Sequence, residues 1–137
     1  LLPGALMANK TLTFICKKCF LKVEKNDTPF TLKYEKDQVV QFPIAHHEGL
    51  FFLQPDSLED IERNGQVVFR YCTPSGETSP EGNPNGSLNN IAGIVNRQGN
   101  VLGLMPHPER ASESILTGVD GAHMWNSIQS WISRESV

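Results

Sequence analysis

Stretches of alternating, clustered and broken hydrophobicity divide this chain into strand-like and helix-like segments. TLTFICKKCFLKVE (11–24) is rich in β-formers and long enough for one bent strand or two short ones. KNDTPF (25–30) carries turn chemistry in Asn26, Asp27 and Pro29, and the polar LKYEKDQ that follows reads as a loop or a single turn. VVQFPIAHHEG (39–49) begins as a strand, and Pro43 marks it as an edge or bulged one. LFFL either continues it or starts a partner. PDSLEDIERNG (55–65) has a helical pattern, with Asp56 or Ser57 as the expected cap and Gly65 after its end. QVVFRYCT (66–73) reads as a strand. PSGETSPEGNPNGS (74–87) reads as a long surface loop of a length that is often functional. LNNIAGIVN and VLGLMPH flank the hairpin turn RQGN, and VDGAHMWNSIQSWISRE closes the chain as a helix. In that helix Met124, Ile128 and Trp131 recur at i, i+4 and i+7, which gives an apolar stripe. The opening LLPGALMANK reads as the tail of a helix running into a loop, with Pro3 and Gly4 as breakers. Locally paired strands with few helices suit an α/β domain with a mixed sheet and an antiparallel extension, and only part of a doubly wound unit.

Composition narrows the function. The chain has 137 residues, 39% hydrophobic and 20% charged, which suits one globular domain. With a net charge of −3 and no Lys/Arg cluster, nucleic acid is not an expected partner. No apolar run approaches the roughly 18 residues a membrane helix needs, and the N-terminal residues lack the pattern of a signal peptide, so a cytoplasmic location is expected. Three cysteines, Cys16, Cys19 and Cys72, do not suggest a disulfide framework. The pair in CKKC lies within a strand pattern rather than at a helix start, and no second CxxC completes a zinc site, so a structural role is expected.

The candidate chemistry lies in two places. GLMPHPERA (103–111) sets His107 and Glu109 two residues apart after a strand, between Pro106 and Pro108. In an extended segment, side chains at i and i+2 share a face, so Glu109 could hold one imidazole nitrogen while the other takes a proton from a nucleophile. Spacing alone does not select this pair over a proline-stiffened turn. AHHEG supplies His46, His47 and Glu48, with alternation sending His46 and Glu48 to one face and His47 to the other. His46, His47 and His107 could together hold a metal; a solvated loop end is the alternative. No Gly-x-Ser-x-Gly or Gly-x-Cys-x-Gly elbow occurs, so no nucleophile is evident.

PNGSLNNIAGIVNRQGNVLGLMPHPERA strongly resembles the C-terminal part of the glutaminase subunits of phosphoribosylformylglycinamidine synthase, within the class I (triad) glutamine amidotransferases. FICKKCFLKVEKNDTPFT, FPIAHHEG and VVFRYC resemble the preceding segments in the same order, so the likeness covers nearly the whole chain. The resemblance implies a flavodoxin-like fold and a Cys-His-Glu triad, with His107 the histidine and Glu109 its partner. It implies glutamine as substrate, and ammonia passing to a synthetase subunit that uses ATP and Mg; no cofactor is implied in this chain. His46, His47 and Glu48 correspond to a segment lining the glutamine pocket, where the family usually has glycine in place of His47. The family's nucleophile half has no counterpart in these residues. The chain is therefore expected to be the C-terminal portion (1–137) of one amidotransferase domain, inactive alone. Two alternatives compete with that reading: a non-catalytic interaction or homo-oligomerisation module built on the same fold, and a small metal-dependent hydrolase.

Overall fold

The computed structural model describes residues 2–116 and 118–135, so Leu1 lies outside the described residues. Its elements run β1 (Ala5–Met7), β2 (Ile15–Val23), β3 (Val39–His46), β4 (Leu50–Phe52), α1 (Pro55–Arg63), β5 (Val67–Cys72), β6 (Ile91–Val95), β7 (Leu102–Leu104) and α2 (Ala122–Glu135). Short 3-10 turns occur at Pro80–Gly82, Leu88–Asn90 and Pro108–Ala111. Five strands form one sheet in the order β3-β2-β5-β6-β7, and β1 pairs with β4 as a separate ribbon. Every pairing between these strands is antiparallel. The α/β class expected from the pattern holds, but the antiparallel part makes up the whole described sheet rather than extending a mixed one.

Strand periodicity explains the layering. Val40, Phe42, Ile44 and His46 alternate inward on β3, and Cys19, Leu21 and Val23 do so on β2. They meet Tyr34, Phe69 and Tyr71, with Ala111 and Met124 closing the same core. Ile128 packs against this cluster from the partly buried side, so Met124 and Ile128 of the expected stripe face the sheet. Strands β5 and β6 are buried on both faces and, apart from Arg70 on β5, read as continuous apolar runs. A second cluster of Leu53, Ile61, Val67, Ile91 and Ile94 seats α1.

Local readings fail where tertiary pairing decides. Ala5–Met7 is a strand rather than the tail of a helix, because Leu50–Phe52 pairs with it. Three residues are too short to carry a period, so the helix-forming character of Ala, Leu and Met misleads. Helix α1 is capped by Gln54 with Pro55 in the first turn and makes no side-chain cap bond, so neither Asp56 nor Ser57 is the cap. Asn89 and Asn90 take left-handed φ values of 48° and 57°, which turns the expected start of β6 into a 3-10 turn. The loop after β5 is not wholly at the surface: Asn85 and Ser87 are buried.

Cys19 is buried and its thiol donates to Phe42 O at 3.3 Å, whereas Cys16 is exposed. Burial pushes the Cys19 thiol up to about 12. The CKKC pair therefore straddles a strand as a packing element.

Arg70 on β5 ties α1 to the sheet, reaching Glu62 at 2.6 Å, Glu24 at 3.2 Å and the backbone of Asn89. Burial raises the Glu62 carboxyl, but hydrogen bonds from Arg70 and Asn89 together with the Arg70 charge outweigh it and hold the pKa below its ordinary value. A depressed carboxylate stabilises the fold above its unfolded pKa and loses that contribution as pH falls through the folded value. Glu62→Gln is accordingly expected to cost about 1 kcal/mol at neutral pH. The difference should shrink as the pH is lowered below about 4 in urea titrations; a pH-independent difference would refute the electrostatic account.

Candidate active site

His107 is positioned by the free edge of β3. In a strand, a residue's N–H and C=O point to the same side, so a proline with its missing donor belongs on an outer edge. Pro43 is such a residue, and its outward carbonyl accepts the backbone N–H of His107 at 2.9 Å. Two residues earlier, the outward N–H of Gln41 donates to the Asp120 carboxylate at 2.8 Å. The edge is thereby closed by a turn and a side chain instead of another strand.

Pro108 starts a 3-10 turn immediately after His107, and within that turn Glu109 folds back so that its Oε1 lies 2.7 Å from His107 Nδ1. The pair anticipated from spacing is made, but not by the extended geometry: the segment turns instead of continuing the strand. Nδ1 is committed to the carboxylate, and Nε2 has no hydrogen-bond partner among the described residues. The His107 side chain is 31% exposed.

The turn is clamped from α2. The N–H of Gly121 donates to Ala111 O at 2.7 Å, Trp125 Nε1 donates to Ser112 Oγ, and Ser112 Oγ donates to Pro108 O. The approach is so close that a Cβ on Gly121 would lie 1.9 Å from Pro108 O.

Of the AHHEG residues, His46 turns inward and is only 8% exposed, while His47 and Glu48 both face solvent. The strict alternation expected for this stretch stops because β3 ends at His46. His46 Nε2 lies 3.1 Å from Asn85 Nδ2. Burial, and then the His107 charge, push its pKa below the ordinary histidine value. Gly49 lets the chain double back beneath the imidazole, where a Cβ would sit 2.1 Å from the ring.

Buried Asn9 stitches this bend together: its Nδ2 donates to His46 O and Thr13 O, and its Oδ1 accepts from Gly49 N. Asn85 and Ser87 complete the network from the loop after β5. Asn9, Asn85, Ser87, Asp120 and Gly121 were not anticipated as site supports. The turn-forming asparagines of NPNGS carried the one available signal. No group of three or more His, Cys, Asp or Glu side chains suited to a metal occurs among the described residues, and exposed His47 does not join His46 and His107.

A family model for the CobB/CobQ-like glutamine amidotransferase domain matches residues 3–133. The chain belongs to this family. It is 54% identical to the phosphoribosylformylglycinamidine synthase subunit PurQ of Moorella thermoacetica, over 98% of this chain and 57% of that protein. It is 53% identical to the subunit of the same name from Gloeobacter violaceus, over 93% of this chain and 55% of that one. A solved structure of PurLQS from Thermotoga maritima superposes with a TM-score of 0.81 at 42% identity, covering 96% of this chain and 54% of the other. The chain thus spans a little over half the length of the relatives it matches. The amidotransferase fold expected from MPHPER and NPNGSLNNIAGI is the fold observed.

Gly121→Ala tests the clamp. It is expected to destabilise the chain by about 1–3 kcal/mol, since the added methyl meets backbone that cannot rotate away. Chemical denaturation of the variant beside wild type measures this, and unchanged stability would show that the turn is not held as described.

Proposed function

We propose that this chain supplies the proton-handling pair of a triad glutamine amidotransferase acting in phosphoribosylformylglycinamidine synthase. The observation that carries the reading is the 2.7 Å contact of His107 Nδ1 with Glu109, which leaves Nε2 open. In this scheme Nδ1–H donates to the Glu109 carboxylate, which orients the ring and supports its charged form. Nε2 takes the proton of a cysteine thiol, and the thiolate attacks the side-chain amide carbon of glutamine. The imidazolium then gives its proton to the departing ammonia, and water hydrolyses the thioester to glutamate. The ammonia is delivered to a synthetase subunit, and ATP and Mg belong to that partner. His46, His47 and Glu48 line the glutamine side of the site.

The nucleophile in this scheme lies outside the described residues. Burial pushes the Cys19 thiol to about 12 and the Cys72 thiol to about 11, so both are held neutral. Cys16 is exposed on β2 and makes no hydrogen bond with His107. The longer relatives have the additional length to provide a cysteine.

The expected result is no glutaminase activity from this chain alone. Activity should return when it is fused to the remaining part of the Moorella subunit. In that fusion His107→Ala should lower kcat about 10²–10⁴-fold. Robust activity from the isolated chain, or a fusion indifferent to His107→Ala, would overturn the assignment.

A second reading has its own support. Leu6, Met7 and Phe52 on the β1–β4 ribbon are 40–50% exposed, an apolar surface that suits an interaction or homo-oligomerisation module. Light scattering of the isolated chain is expected to show association if this reading holds, and a monodisperse monomer at high concentration would exclude it.

A further inference from the structure

The hydrogen bonds around Asn85 determine which nitrogen of His46 carries a proton. Asn85 Oδ1 accepts from Ser87 N at 3.1 Å and from Ser87 Oγ at 2.7 Å, while Asn85 Nδ2 donates to Gly49 O at 2.7 Å. A backbone N–H can only donate and a carbonyl can only accept, so the amide cannot be reversed. Its NH₂ group therefore faces His46 Nε2 at 3.1 Å, and the Tyr71 hydroxyl oxygen lies 3.2 Å from Asn85 Nδ2, sharing with His46 the hydrogen that Gly49 O leaves over. A proton on Nε2 would set donor against donor in a buried site. Nε2 must accept, and the neutral ring must carry its hydrogen on Nδ1.

That remaining donor is buried and has no hydrogen-bond partner among the described residues. An unpaired buried donor is a cost that a packed apolar side chain at this position would avoid. The groups facing the ring give no support to a charged form. Asn85 presents only its donor side, its own neighbour Tyr71 is a neutral phenol whose pKa burial raises, and His107 repels a second positive charge. The His46 backbone is also fixed, because its carbonyl accepts from Asn9 at 2.9 Å.

We propose that His46 is a positioning residue: an imidazole locked by Asn85 in the neutral Nδ1–H form. It keeps the site's second histidine uncharged, so that the catalytic proton resides on His107. The open Nδ1–H is a neutral donor reserved for an oxygen acceptor, a water or a carbonyl group, that enters when the site is completed. This inference deepens the amidotransferase reading and rests on it for the role of His107. The tautomer itself stands on the hydrogen bonds alone. His46 also explains the glycine at position 49, since any side chain there would displace the ring that Asn85 orients.

Two-bond ¹H–¹⁵N correlation spectra of the imidazole rings of this chain, recorded from about pH 5 to about pH 8, test the proposal. His46 is expected to show a protonated Nδ1 and an unprotonated Nε2 throughout, with no titration. Asn85→Asp replaces the donor with an acceptor, and His46 should then take up a proton within the same window. A proton on Nε2 in the wild type, titration of wild-type His46 in this range, or a folded Asn85→Asp chain with an unchanged His46 spectrum would each overturn the proposal. If the variant does not fold, the wild-type spectra decide alone. These spectra require no turnover, so their failure is distinct from a fusion enzyme that fails to hydrolyse glutamine.

Discussion

A strand at the margin of a sheet leaves alternate N–H and C=O groups unpaired, and β3 is such a strand. The position of His107 depends on how that edge is closed. Gln41 N–H is taken by the Asp120 carboxylate and Pro43 O by the His107 N–H, so one edge anchors both the start of α2 and the turn that carries His107 and Glu109. Proline at position 43 fits because its missing donor faces outward, where a continuing strand would have required one. The same arrangement joins the sheet, whose register aligns β3 with β2 from Ile15 to Lys22, to the chemistry at its end.

Burial does different work on the two sides of the site. Around His107 the side chains are partly open, and Nε2 makes no hydrogen bond among the described residues. Around His46 a network of Asn9, Asn85 and Ser87 replaces solvent, so each polar atom must find its partner within the protein. Such a network specifies geometry more tightly than apolar packing does, because reversing one amide breaks several bonds at once. Nδ1 of His46, without a partner among the described residues, is the exception within that network, and its ring lies close enough to His107 to feel its charge.

Much of the fold was legible from local pattern. The alternation of β3, the stripe of Met124 and Ile128, the edge role of Pro43 and the hairpin at RQGN all follow from side-chain period and turn chemistry. The errors fall where the period is too short to read or where a distant element decides. Ala5–Met7 became a strand because β4 lies beside it, and Asn85 was read as surface although it is buried against residues nearly forty positions earlier. For the site, His107 with Glu109 was visible as residue types at a short spacing. The 3-10 turn that brings them together was not, since spacing carries no information about dihedral angles.

By itself, then, the sequence determined the α/β class, the family and the two clusters of candidate chemistry, because these rest on local periodicity and on motifs contiguous in the chain. Tertiary structure alone decided that Glu109 reaches His107 through a turn, that His47 and Glu48 face solvent while His46 does not, and that Asn9, Asn85, Asp120 and Gly121 hold the site. Those outcomes depend on hydrogen bonds between residues tens of positions apart. Their partners are chosen by which groups folding removes from water together, and no local pattern records that choice.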